Sequence, residues 1–140
     1  MVRFIEGGIA KDTRGEIRFV NDFDLTEVKR FYIIKNSDTH TIRGWRAHRN
    51  GQRWFYVLSG AFSLDVVKIG DWENIDREVS IQNYSLYQAD QQMLHLPIGY
   101  ATAIRAIEAD SELLVYADQS LSESLQDDYT FGLDYFVNKI

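Results

Sequence analysis

The stretch from Thr41 to Gly60, TIRGWRAHRNGQRWFYVLSG, gathers Arg43, Arg46, His48, Arg49 and Arg53 within eleven positions and interleaves them with Trp45 and Trp54. Guanidinium groups offer a planar fork of donors and a charge that does not titrate away, which suits phosphate and carboxylate groups. A histidine among them adds a group able to take or give a proton near neutral pH. Residue types and spacing therefore point to a pocket wall for a small anion. A plainer alternative is an edge strand guarded against aggregation by its cations. Two tryptophans and a histidine are more than such an edge needs.

Strand alternation places Ile42, Gly44, Arg46 and His48 on one face and Arg43, Trp45 and Ala47 on the other. Gly44 permits a bulge, which would turn Arg43 toward the side of Arg46.

The elements that must position this stretch read as short strands. Ile17 to Asn21 alternates, and Val28 to Ile34 is rich in β-branched and aromatic residues. Arg53 to Leu58 and Ala61 to Ile69 flank Ser59-Gly60, which reads as a tight hairpin connection. Further strands are expected at Glu78 to Gln82, Ser85 to Gln88, Gln92 to Leu96, Ala103 to Ile107 and Glu112 to Tyr116. Lys11 to Gly15 has the composition of a turn, and Gly70 to Arg77 that of a surface loop. With a single proline and no long amphipathic helix before Ser120, an antiparallel sandwich or barrel follows. The tail from Asp118 to Ile140 passes from polar SESLQDD to aromatic YTFGLDYF, so it is expected to cap the barrel or to pack on a second subunit.

A chain of 140 residues suits one domain, here residues 1–140, and 45% apolar residues can fill its core. The net charge of -6 argues against nucleic acid or an anionic membrane as partner, because both need a broad basic face. Without cysteine, disulfides and thiolate metal sites are excluded. No secretory pattern and no bilayer-length apolar run is present, which leads to the expectation of a soluble cytoplasmic protein.

RGWRAHRNGQRWFYVLSG, followed by LHLPIGYATAIRA, resembles the two motifs of the cupin superfamily. Within it, the chain resembles the deoxythymidine-diphosphate (dTDP) sugar 3,4-ketoisomerases and the dTDP-4-dehydrorhamnose 3,5-epimerases. KDTRGEIRFV and VKRFYII extend the likeness over most of the chain. The resemblance implies an all-β double-stranded β-helix, or jelly roll, that forms a homodimer and holds a nucleotide-linked 4-keto sugar. Its chemistry would be proton abstraction beside a ketone, without metal or other cofactor.

The ketoisomerase motif is similar to RGWHAH, its first histidine being the base, and Arg46 stands at that position here. A guanidinium stays protonated and cannot abstract a proton. His48 matches the second histidine and becomes the candidate base, the other role open to it being a hydrogen-bonding histidine of the barrel. Tyr116 resembles the family's tyrosine that works opposite the base, and Tyr32 a pocket tyrosine; both also suit a core strand. By resemblance Arg14, Arg43 and Arg53, together with Arg46, would hold the diphosphate or the developing negative charge. The metal positions of cupins read Arg46, His48, Gln52 and Thr102, one ligand in place of four, so no metal is expected. Two readings follow: a nucleotide-sugar epimerase or ketoisomerase, and an inactive cupin that keeps the sugar-phosphate site. A purely structural member would leave the cation cluster unexplained.

Overall fold

The computed structural model describes residues 1–139 and is built almost wholly of strands. These are β1 (Arg3–Glu6), β2 (Gly8–Asp12), β3 (Gly15–Phe19), β4 (Arg30–Asn36), β5 (Ile42–His48), β6 (Arg53–Ser59) and β7 (Ala61–Lys68). They continue with β8 (Glu78–Val79), β9 (Gln82–Tyr87), β10 (Gln92–Leu96), β11 (Tyr100–Ala106), β12 (Ser111–Ala117), β13 (Tyr129–Thr130) and β14 (Val137–Asn138). One short helix, α1 (Leu121–Gln126), follows β12.

Two five-stranded antiparallel sheets carry the fold, in the orders β1-β10-β6-β12-β4 and β13-β5-β11-β7-β9. Side chains alternate along each strand, so each sheet sends one set inward. Phe55, Val57, Phe62, Leu64, Leu94 and Val115 meet there, each 3% exposed or less. Full burial of such a side chain contributes about 1.5–3 kcal/mol.

The interior is apolar where β6, β7, β10 and β12 face one another and polar toward the edges formed by β4 and β5. Inward positions there include Arg30, Tyr32, Asn36, Arg46 and His48. That asymmetry leaves the site at one side of an otherwise apolar barrel.

Ser59-Gly60 is not a hairpin. β6 pairs with β10 and β12, whereas β7 pairs with β11 and β9, so the dipeptide is a corner between the two sheets. Gly60 adopts φ +76° there, and the following amide of Ala61 donates to Ser111 Oγ at 3.1 Å. The first strand lies in the opening segment that composition left unassigned; β1 pairs with β10 along Arg3 to Glu6.

The segment after Asp118 packs against strands of its own chain. α1 starts with a capping box, in which the Ser120 hydroxyl accepts from the Glu123 amide and the Glu123 carboxylate accepts from the Ser120 amide. β13 then pairs with β5, while Phe131, Tyr135 and Phe136 cover Trp45 on the outer face of the second sheet. Ile140, the end of the expected tail, lies outside the described residues. No described helix is long and apolar enough to cross a membrane.

Candidate functional site

A cavity of about 520 Å³ opens between β4 and β5. Phe55, Leu96 and Ile104 form an apolar part of its wall, and Arg30, Arg43, Arg46 and Arg53 supply its charge. Arg43 reaches it through the bulge that Gly44 permits: β5 pairs Arg46 with Thr102 but Arg43 with Ile104, so the register slips between them. Arg43, Arg46 and His48 thus share the inner side, and Trp45 and Ala47 face the outer cluster.

Two ends of the cavity differ in kind. At one, Arg43 Nε donates to Asn36 Oδ1 at 2.8 Å, and the guanidinium remains exposed. At the other, Arg53 is 2% exposed. Its Nη1 donates to the Gln52 carbonyl at 2.8 Å, and its Nη2 to Ser124 Oγ at 3.0 Å. Both also lie 3.3 Å from Gln119 Oε1. Its Nε is buried without a partner. Arg30 lies beside it, its Nη2 donating to Ser124 Oγ at 3.3 Å and its guanidinium stacked over Tyr32.

Arg53 has no carboxylate partner within salt-bridge distance among the described residues, nor have Arg30 and Arg43; only Arg46 has one, Asp128 at 3.5 Å. Burial lowers the pKa of Arg53, yet an arginine stays charged. A buried cation held only by neutral acceptors is costly unless an anion joins it.

His48 sits against Arg53. Its Nδ1 is 3.0 Å from the carbonyl of Asp127, which can only accept, so Nδ1 carries the proton. Nε2 then keeps its lone pair, while Arg53 Nη2 lies 3.3 Å from Nε2 and 3.4 Å from Nδ1, against the ring and not along that lone pair. Burial first, then the charge of Arg53, pushes the imidazole down to about 4. At neutral pH it is a neutral acceptor. The Asp127 carboxylate fixes the loop that presents it, accepting from the amides of Arg49 and Asn50, both at 2.9 Å, and from Gln119 Nε2 at 2.9 Å.

Of the residues expected at a site, Tyr32, Arg43, Arg46, His48 and Arg53 converge on the cavity. Tyr116 does not: Leu113 and Val115 take the inward positions of β12, and Tyr116 packs outside with Phe23 and Trp54. Arg14 lies on the β2–β3 turn, its side chain 87% exposed and bound to Asp12, outside the cavity. Thr102 faces the cavity, whereas Gln52 turns out to His95 Nε2, 2.7 Å away. His95 itself stacks on Trp54 on the outer face. Arg30 and Ser124 were missed by sequence reasoning. A lone arginine in KRFYII and a serine in a polar helix carry no local signal of convergence.

No curated protein matches the sequence. Among solved structures, the fold is similar to the WlaRB TDP-quinovose 3,4-ketoisomerase from Campylobacter jejuni, with 20% identity, TM-score 0.65 and 85% of each chain covered. It is also similar to the sugar 3,4-ketoisomerase QdtA from Thermoanaerobacterium thermosaccharolyticum, solved in complex with TDP. That match has 20% identity and TM-score 0.71, over 91% of this chain and 86% of that one. The RmlC epimerase of Mycobacterium tuberculosis matches with 17% identity and TM-score 0.76, over 93% of this chain and 68% of that one. These likenesses agree with the RmlC-like cupin jelly roll expected from the motifs. A family model described as FdtA, WxcM-like, C-terminal, matches residues 1–140, and the chain belongs to that family.

Proposed function

We propose that the cavity binds a nucleotide-linked sugar through its diphosphate and isomerises or epimerises a keto form of that sugar by metal-free proton transfer. The observation that carries the proposal is the set of inward-facing guanidiniums of Arg30, Arg43 and Arg53, none with a carboxylate partner among the described residues. Such groups hold phosphate oxygens through charge-assisted hydrogen bonds and stabilise an enolate as it forms. The TDP bound to QdtA supports a nucleotide diphosphate as ligand. In this reading His48 Nε2 takes the proton beside the ketone, and Tyr32, which lines the same cavity, donates to the oxygen side. Tyr116 has no part in it, because its ring lies outside the barrel.

A second reading, binding without turnover, is favoured by two facts. Arg46 occupies the motif position of the expected base, and His48 is a weak base at about 4. Deuterium uptake into a dTDP-4-keto-6-deoxy sugar separates the two. Exchange that disappears in His48→Ala supports turnover through His48, and binding without exchange supports the second reading. No thermal shift with any nucleotide would remove both.

The homodimer belongs to the same proposal. Arg14 lies outside the cavity of its own chain and would meet a ligand only across a subunit boundary. A monomer by sedimentation with unchanged nucleotide affinity removes Arg14 from the site.

A further inference from the structure

Several exposed cations outside the cavity pair with carboxylates: Lys11 with Glu16, Arg14 with Asp12, Lys29 with Glu123 and Arg49 with Glu73. The arginines of the cavity, Arg46 apart, are held by neutral groups. Ser124 Oγ serves Arg30 and Arg53, and Arg53 also meets the Gln52 carbonyl and Gln119 Oε1. For Arg43 the neutral group is the side chain of Asn36.

Asn36 is 5% exposed and closes the β4–β12 ladder opposite Ser111, which fixes the base of its side chain. An arginine has no acceptor, so it is the amide oxygen that faces Arg43 Nε, at 2.8 Å. The amide nitrogen is left buried, with no acceptor. A buried amide that forgoes part of its hydrogen bonding is costly to the fold. The one side-chain hydrogen bond that Asn36 makes among the described residues is the one that holds Arg43.

A carboxylate stands close by in sequence and is not used. Asp38, the one acid between β4 and β5, accepts instead from the amides of His40 and Thr41 and from the Thr41 hydroxyl. Arg43 itself makes one more contact, from Nη2 to the Lys35 carbonyl at 3.5 Å, which leaves Nη1 for a ligand.

Resting on the nucleotide-sugar reading above, we infer that Asn36 is a positioning residue for the diphosphate. It fixes the Arg43 guanidinium at the exposed end of the cavity through a neutral acceptor, so the cation is held without being neutralised. An aspartate of the same shape would hold Arg43 too, and would compete with the phosphate for its charge.

Titration calorimetry with dTDP on Asn36→Ala and Asn36→Asp, each checked for folding by its melting curve, tests this. Asn36→Ala frees Arg43 and should weaken binding about three-fold. Asn36→Asp should weaken it about ten-fold, the effect of one charge-assisted contact. A side chain that merely supported the strand would give the opposite order, because aspartate keeps its shape and alanine does not. In an Arg43→Ala background, Asn36→Ala should cost no further affinity. That cycle decides alone if Asn36→Asp does not fold. The inference is overturned, with the nucleotide-sugar reading left standing, by any of three results: Asn36→Ala binding as tightly as the unaltered chain, its loss persisting without Arg43, or Asn36→Asp binding as well as Asn36→Ala. No binding of dTDP by the unaltered chain overturns both.

Discussion

The guanidinium of Arg53 places Nη2 3.3 Å from Nε2 of His48, so a permanent cation and a neutral imidazole share one end of the cavity. Neither can be changed without altering the other, and the pair makes the site responsive to both pH and anions.

The first consequence is a dependence of stability on pH. An unfolded chain protonates His48 below its ordinary 6.5, whereas the folded chain resists until about 4. The folded pKa is the lower one, so this group leaves stability flat above 6.5. Between 6.5 and about 4 it lowers stability, by about 3 kcal/mol in all. His48→Gln should flatten that part of the acid slope in urea unfolding. An unchanged slope would mean that His48 is not buried in its neutral form.

An anion seated against Arg53 reverses this electrostatic balance. It raises the pKa of His48, so binding takes up a proton and affinity rises as pH falls from neutral toward 5. Calorimetry in two buffers of different ionisation enthalpy should show net proton uptake. No uptake would place the ligand's negative charge away from His48.

Arg43→Ala should weaken nucleotide binding about ten-fold or more through loss of charge-assisted hydrogen bonds. Tyr116→Phe should leave it unchanged, since that ring packs with Phe23 and Trp54 outside the barrel. Equal losses from the two substitutions would refute this assignment of faces.

Asp127→Ala removes a 5%-exposed carboxylate that holds the amides of Arg49 and Asn50 and the Gln119 side chain. The expected cost is about 2–4 kcal/mol, because buried donors are left unpaired. Hydrogen exchange at the two amides should accelerate together. Protection retained at both would show that the tail does not fix this loop.

Gly60→Ala tests the corner between the sheets. A side chain there meets Ser111 and must adopt the left-handed conformation, at a cost of about 1–3 kcal/mol. Denaturant titration reads it directly, and an unaffected midpoint would argue against the corner geometry.

The strands were legible because alternation is a local property, and the bulge because Gly44 stands beside arginines on both faces. The corner at Gly60 was misread because Ser-Gly serves a hairpin and a change of sheet equally well. Only the non-local pairings of β6 and β7 distinguish them. Tyr116 was misplaced for a related reason. ELLVY is apolar on both faces of β12, so its sequence does not say which parity points inward. Arg30 becomes part of the site only when β4 pairs with β12, a contact between segments far apart in the chain.

The parts that close the site are made after the main sheets. The barrel strands up to β12 end at Ala117, whereas Ser124 and Asp127 follow Arg53 and His48 by 71 and 79 residues. As synthesis proceeds from the N-terminus, the sheets up to β12 can pair while the Arg53 end of the cleft is still open to water. Ligand competence would then be acquired after the main sheets have paired, and proteolytic nicking just after β12 would abolish it while sparing most of the barrel.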